Sequence, residues 1–438
     1  MRYSARVIAR LLSRVGLVTP EQRAWAWYDW ANSAYFTTIV TAVFPSFYAT
    51  YAASGLEPAQ ATARFGAITT LSVALIAIIS PVLGAIADFS GIRKRLLAGF
   101  MIVGVTASAA MVFIDRGDWM LASVLFVIGN LGVSGTTVFY DSLLPHVARP
   151  EETDRVSSAG YALGYLGGGV LLLLNLAWIL QPTTFGFSDT AAATKAAFVS
   201  VAVWWLLFSI PLLRKVPEPP RELESGEGAG TSVLSAAFGR LGRTFREMRR
   251  YRHAFLLFMA MLLYQDGIQT IIRMASVFGA EIGIDINAQI AAFVMVQFLG
   301  IPFAFLFGML GTRIGTKRAI FIALAVYTLT AVMGYFMTNV THFFILAGLV
   351  ATVQGGSQAL SRALFARLIP AKKASEFFGF YAVAERFATV LGPLVFTLSV
   401  AMTGSSRTAI LFIIVFFAAG AALLSMVDEK AGVLAAQT

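Results

Sequence analysis

Seven ionisable residues lie inside long apolar runs of this sequence: Asp29, Asp141, Asp266, Arg273, Arg362, Glu385 and Arg386. Each costs roughly 2.5–3.5 kcal/mol to place in hydrocarbon on insertion scales, so each calls for a partner or a task. Their spacing gathers them onto polar helical faces, because residues three or four apart are neighbours on a helix. Asp29, Ser33, Thr37 and Thr41 recur every four residues, with Asn32 beside them. Asn130, Ser134, Thr137 and Asp141 make a second stripe, and Asp266, Gln269 and Arg273 a third. Gln354, Gln358, Ser361 and Arg362 form a fourth, and Tyr381, Glu385 and Thr389 a fifth. Carboxylates, amides and guanidiniums arrayed this way suit the binding and release of a small polar solute, or the carriage of an ion. Bond-breaking chemistry lacks its parts. The sequence has no cysteine, which excludes disulfides, thiol nucleophiles and Cys-ligated metals. Its three histidines, His146, His253 and His342, fall at the ends of apolar runs. The reading therefore expects no catalytic residue, no metal and no cofactor.

The elements that carry such stripes must be membrane helices. Hydrophobic residues make up 58% of the 438 residues and mean hydropathy is +0.76. Charged residues are only 13%, about half the ~25% of a soluble protein, too few to cover a soluble surface. A spanning helix needs about 20 mainly apolar residues. Twelve such runs occur, centred on 27–51, 66–87, 96–114, 119–144, 157–180, 193–213, 254–279, 287–309, 319–338, 342–366, 376–402 and 408–427. The breaks are short except for 214–252, which holds Pro217, Pro219, Pro220 and a Ser/Gly/Glu-rich stretch. The organisation expected is an N-terminal segment 1–23, a six-helix bundle 24–213, a linker 214–252, a second six-helix bundle 253–428 and a tail 429–438. Lysine and arginine placement tests the count: with a cytoplasmic N-terminus, 26 of the 33 basic residues fall on the cytoplasmic side. Four fall opposite: Arg64, Arg116, Lys195 and Arg407. That bias is the positive-inside pattern for an even number of spans with both termini cytoplasmic, in a bacterial-type inner membrane. The net charge of +10 is thus an orientation signal, and nucleic acid is not an expected partner. Basic amphipathic stripes at Arg2, Arg6, Arg10 and Arg14, and again at Leu234 to Arg250, suit helices lying on an anionic leaflet. Trp119, Trp204 and Trp205 are expected in the interfacial aromatic belt.

The two halves repeat. Gly84, Asp88, Gly91, Arg93 and Lys94 after span two are matched, at an offset of 224, by Gly308, Thr312, Gly315, Lys317 and Arg318 after span eight. Leu144-Pro145 parallels Ile369-Pro370, and Gly160-Tyr161-Ala162 parallels Gly379 to Ala382. Parallel six-span repeats are one transporter architecture, with the solute site between the halves near the bilayer midplane. The loop pattern Gly-x-x-x-Asp-x-x-Gly-x-Arg-Lys resembles that of the major facilitator superfamily. Within it, Trp27-Tyr28-Asp29-Trp30-Ala31-Asn32-Ser33-Ala34 resembles the vacuole-effluxer-like branch, which contains fungal vacuolar amino-acid exporters. Gly160 to Gly168 and Gln354-Gly355-Gly356 through Gly379 match the same branch, so the resemblance runs along nearly the whole chain. It implies an all-α membrane protein of twelve helices in two pseudo-symmetric bundles, with spans one, four, seven and ten around a central cavity. There are departures: Thr312 stands where the second loop should carry a carboxylate, span four has no arginine, and span five lacks the usual proline.

Depth separates the expected roles. At 1.5 Å per residue, Asp266 lies about 18 Å and Glu385 about 14 Å from the cytoplasmic start of their spans. Solute or ion binding is therefore assigned to Asp266, Gln269, Arg273, Gln354, Gln358, Arg362, Glu385, Arg386, Asn32, Ser33, Thr37 and Asn130. Gating is assigned to Asp29 and Asp141, near the cytoplasmic mouth, and to Gly84, Asp88, Gly91, Arg93 and Lys94 of the loop. The competing reading makes Glu385–Arg386, Asp29 and Asp141 structural pairs between helices. The function expected is secondary active transport of a small polar solute, an amino acid by family analogy. A uniporter or exchanger for another solute, lipid-like ones included, and a non-transporting receptor on the same fold remain the alternatives. No Gly-x-x-x-x-Gly-Lys-Ser/Thr phosphate loop is present, so direct ATP drive is not expected. The partners expected are the solute, protons and the lipid bilayer, for a monomer.

Overall fold

The computed structural model describes residues 16–221, 251–387 and 406–437, with a few isolated positions between them. The amphipathic stripes expected at the N-terminus and in the linker, and Thr389, lie outside the described residues. What is described is helix and connecting loop. The helices are α1 (Pro20–Ala34, wound onward to Ala52), α2 (Pro58–Ser90), α3 (Arg93–Ala110) and α4 (Trp119–Ser142). Then come α5 (Thr153–Leu180), α6 (Thr190–Lys215), α7 (Arg252–Glu281), α8 (Ile286–Ile314) and α9 (Thr316–Tyr335). The last are α10 (Val340–Leu368), α11 (Ala374–Phe387), α12 (Ser406–Ser425) and a short α13 (Glu429–Gln437). Among the described residues nine helices are long and apolar enough to cross a membrane, or ten if the pair bent by 62° at the end of α12 is one span. The other two expected segments are α1, whose winding is broken, and α11, described only to Phe387.

Local chemistry sets the ends. Thr19 accepts from the Gln22 amide while the Gln22 side chain accepts from the Thr19 amide, a reciprocal cap that starts α1 at Pro20. Asp189 caps α6 and Asn339 caps α10 through a single bond, each side chain accepting the amide three residues on. Gly91, at φ 64°, stops α2 in the left-handed region where a side chain would be strained. Within α1 the winding loosens to π turns over Tyr35–Ala42 and Tyr48–Ala52, on either side of Pro45. Such turns recur at functional sites, and this one carries Thr37.

Packing repeats between halves. The pairings α1–α6, α2–α4, α3–α4 and α3–α6 reappear as α7–α12, α8–α10, α9–α10 and α9–α12. The halves meet through two equivalent seams: α11 against α2 and α4, and α5 against α8 and α10. Small residues let the seams close, as at Gly379, where an added Cβ would lie 2.7 Å from the Ser80 carbonyl oxygen. One tryptophan departs from expectation. Trp205 is fully buried, not interfacial, because its indole donates to Tyr28 at 3.3 Å and its ring fills the space beside Gly104. Trp204 stacks on Trp30 at 5.4 Å.

Candidate functional site

A dense polar cluster lies between the halves, and Arg362 of α10 is its centre. Its guanidinium reaches Asp141 Oδ1 of α4 at 3.0 Å and Asp29 Oδ2 of α1 at 3.2 Å. Nε donates to Ser157 Oγ of α5 at 2.9 Å, and Nη2 donates to the Ser157 carbonyl at 3.0 Å. Arg362 is only 3% exposed, so these contacts replace its hydration shell. Aromatic faces complete the shell: the guanidinium carbon lies 4.4 Å from the Tyr161 ring centre and 4.8 Å from that of Trp25. Tyr140 donates its hydroxyl to Asp29 at 2.7 Å and stacks on Trp25, whose indole donates to the Tyr140 carbonyl. One cation of the second half is thus held by partners on three helices, α1, α4 and α5, all of the first half. A planar guanidinium can make these directional contacts at once; a lysine cannot.

A second cluster joins the α2–α3 loop to α11. Arg93 and Asp88 pair at 2.6 Å, and Asp88 accepts the Ser375 and Glu376 amides at 3.3 and 2.9 Å. Those amides belong to the first turn of α11, where unsatisfied N–H groups and the helix dipole favour a carboxylate. Arg93 also donates to Ser375 Oγ at 2.8 Å and lies 2.9 Å from His146 Nε2. Gly84 presses against the Ser375 carbonyl. Lys94 turns the other way: its amide donates to Glu218 at 3.0 Å and its ammonium to the Val216 carbonyl, both in the segment that follows α6.

The remaining sequence candidates divide by place. Gln354 borders a cavity of about 160 Å³ within the second half, where Gln289, Gln297 and Thr330 sit among Ile271, Phe278, Phe293 and Phe343. Gln297 reaches across to Thr37 Oγ1 at 3.5 Å, bringing the first half's stripe to the cavity's edge. Ser33 and Asn32 stay on α1, Ser33 packed beside Gly164 and Asn32 buried. Asn130 is buried on α4 and donates to the Phe126 carbonyl. Asp266 is fully buried on α7, and Gln269 and Gln358 are half-buried. Arg273, Glu385 and Arg386 lie on described helices, but their side chains fall outside the described residues. Arg362, grouped by sequence with the binding residues, contacts Asp29 and Asp141, which the sequence assigned to gating. Sequence reasoning passed over Ser157, Tyr140, Tyr161, Trp25 and Gln297. Their only signal was position, Ser157 three residues before Gly160 and Tyr140 beside Asp141.

The family model described as vacuole effluxer Atg22 like matches residues 58–437. The MFS-type transporter YxiO of Bacillus subtilis (strain 168) is 37% identical over 415 residues, 94% of this chain and 96% of that protein. Autophagy-related protein 22 of Yarrowia lipolytica is 25% identical over 455 residues, covering 85% of this chain and 76% of its own. Among solved structures, the human organic anion transporter MFSD10 superposes with a TM-score of 0.71 at 15% identity, covering 92% of this chain and 99% of its own. The proton:xylose symporter XylE gives 0.69 at 14% identity, covering 94% and 96%. With two six-helix halves, two equivalent seams and a family match over most of its length, the chain belongs to the Atg22-like vacuole effluxer family of major facilitator transporters.

Proposed function

We propose that this transporter moves a small polar solute, an amino acid, by alternating access driven by an ion gradient. The observation that carries the reading is Arg362, a buried cation of one half gripped by Asp29, Asp141 and Ser157 of the other. A charged contact that joins two bundles at one end, and nothing covalent, can be broken and remade as the bundles rock. Breaking it exposes a charge that water must then solvate, so the contact is bistable rather than graded. In this reading the face bearing the α2–α3 and α8–α9 loops is cytoplasmic and closed. The cavity supports the choice of solute. Glutamine amides can hydrogen-bond both a carboxylate and an ammonium, and the surrounding apolar wall suits a hydrocarbon side chain. Asp266 and Glu385 are the groups assigned to a coupling proton or the substrate ammonium, with Arg273 and Arg386 as anion partners.

Purified protein is screened by thermal shift against amino acids, peptides and organic acids, then reconstituted with the stabilising compound. Expected are stabilisation by an amino acid and its accumulation under an imposed proton gradient. Asp266→Asn or Glu385→Gln should abolish accumulation. Stabilisation and flux confined to compounds of another class would overturn the amino-acid assignment, and normal accumulation in both amide variants would overturn the site.

A further inference from the structure

The second loop copy has lost its carboxylate, with Thr312 at the position of Asp88, yet its seam is not bare. Thr312 itself is exposed and donates only to the Met309 carbonyl. Beyond the lost carboxylate, the basic side of this loop is displaced by one residue of register. Two residues separate α2 from α3, with Gly91 ending one helix and Ile92 preceding the next; only Gly315 separates α8 from α9. Helix starts therefore align Arg93 with Thr316 and Lys94 with Lys317. The alignment of Lys94 with Lys317 is visible in their bonds: the Lys317 amide donates to Glu429 at 2.8 Å and its ammonium to the Val427 carbonyl. That copies the pairing of Lys94 with Glu218 and Val216.

A hydroxyl thus stands where the first seam has its arginine, and the ions come from other helices. Thr316 donates to Asp154 Oδ2, in the first turn of α5, at 2.6 Å. Arg367, at the end of α10, donates to Thr316 Oγ1 and lies 3.3 Å from Asp154 Oδ1 and 3.6 Å from Glu429. Asp154 and Thr316 are buried, and Gly311 leaves room for the carboxylate: an added Cβ there would lie 2.9 Å from Asp154 Oδ2. The contact crosses between halves, as Asp88 does at the other seam. It is also less fully satisfied: among the described residues Asp154 Oδ1 and Arg367 Nε have no hydrogen-bond partner. We propose that Asp154, Thr316 and Arg367 form a second latch between the halves, rebuilt with its acid on α5 and its base on α10, and tied by Glu429 to the C-terminal helix α13. This rests on the alternating-access reading and adds a residue set to its gate.

The test reads distance, not transport, so it stands apart from the solute question. The cysteine-free chain accepts spin-label pairs at Glu151 and Arg313, across the α5–α8 seam, and at Arg95 and Lys372, across the α2–α11 seam. All four positions are exposed. In reconstituted full-length protein, Asp154→Asn should raise the ratio of long to short distances about fivefold or more at both pairs, because the halves move as rigid bodies. Asp88→Asn serves as the reference. Should Asp154→Asn not yield monodisperse protein, Arg367→Gln decides by the same two distances. An unchanged distribution, or lengthening confined to the Glu151–Arg313 pair, would overturn the latch.

Discussion

A single methyl group at Gly160 would fall 2.4 Å from Asp29 Oδ2 and 3.2 Å from Arg362 Nη2, so the glycine is what lets α5 pass beside the ion cluster. At Gly99 of α3 a Cβ would meet nothing within 4 Å. The two positions separate helix propensity from packing. Gly99→Ala should be neutral or stabilising by up to about 1 kcal/mol. Gly160→Ala should cost about 1–3 kcal/mol from overpacking and push Asp29 off Arg362. Thermal unfolding in detergent decides it; equal melting temperatures would mean that the cluster yields without cost. The residue types of this site were legible from sequence, since Asp29, Asp141 and Arg362 stood out as charges in apolar runs. Their pairing was not, because the partners are separated by 221 and 333 residues.

Helix ends, more than helix faces, decide how the seams differ. Asp88 sits in the last turn of α2 and meets the free amides of α11. Asp88→Asn keeps the shape but loses the charge that holds both Arg93 and those amides, so the closed seam should weaken and initial transport rates should fall roughly tenfold. Thr312→Ala removes one intrahelical hydroxyl contact on an exposed position and should leave rates within about twofold, as surface substitutions usually do. Comparable losses in the two variants would show that the loops are equivalent after all. The repeat in sequence pointed to both loops but aligned them by glycines. A one-residue change in the connection moved the helix starts, and with them the side chains that reach the seam.

Among the described residues, the ion pairs between the halves lie toward the helix ends joined by the α2–α3, α4–α5, α8–α9 and α10–α11 connections, where Arg93, Lys94, Arg95, Arg149, Lys317 and Arg318 also lie. The proposed orientation puts these helix ends in the cytoplasm. Single cysteines at Glu151 and Thr183, exposed at opposite ends of α5, should then label from opposite sides of intact vesicles, Glu151 from the cytoplasmic side. Labelling of both from one side would invalidate the topology. The span boundaries read from hydropathy come within about five residues of the described helix ends, for instance 157–180 against Thr153–Leu180, except that α1 and α2 start earlier, at Pro20 and Pro58 against 27 and 66. The aromatic residues were harder to place, because a tryptophan's apolar ring and single donor suit an interface and a core equally. Trp205 found its acceptor in Tyr28, inside.

Composition, hydropathy and the repeat determined by themselves that this is a two-fold-repeated helical membrane protein, since lipid forces every spanning segment to satisfy its own backbone and to advertise itself by length and apolarity. The polar stripes likewise named the charges that had to be explained. Which charge meets which is a matter of how two bundles lean together, and no local pattern encodes it. Only the tertiary structure put Arg362 between Asp29 and Asp141, brought Gln297 to Thr37, and set Asp154 against Thr316 and Arg367. Each of these contacts joins residues more than 150 positions apart, and each is fixed by the register and close approach of helices.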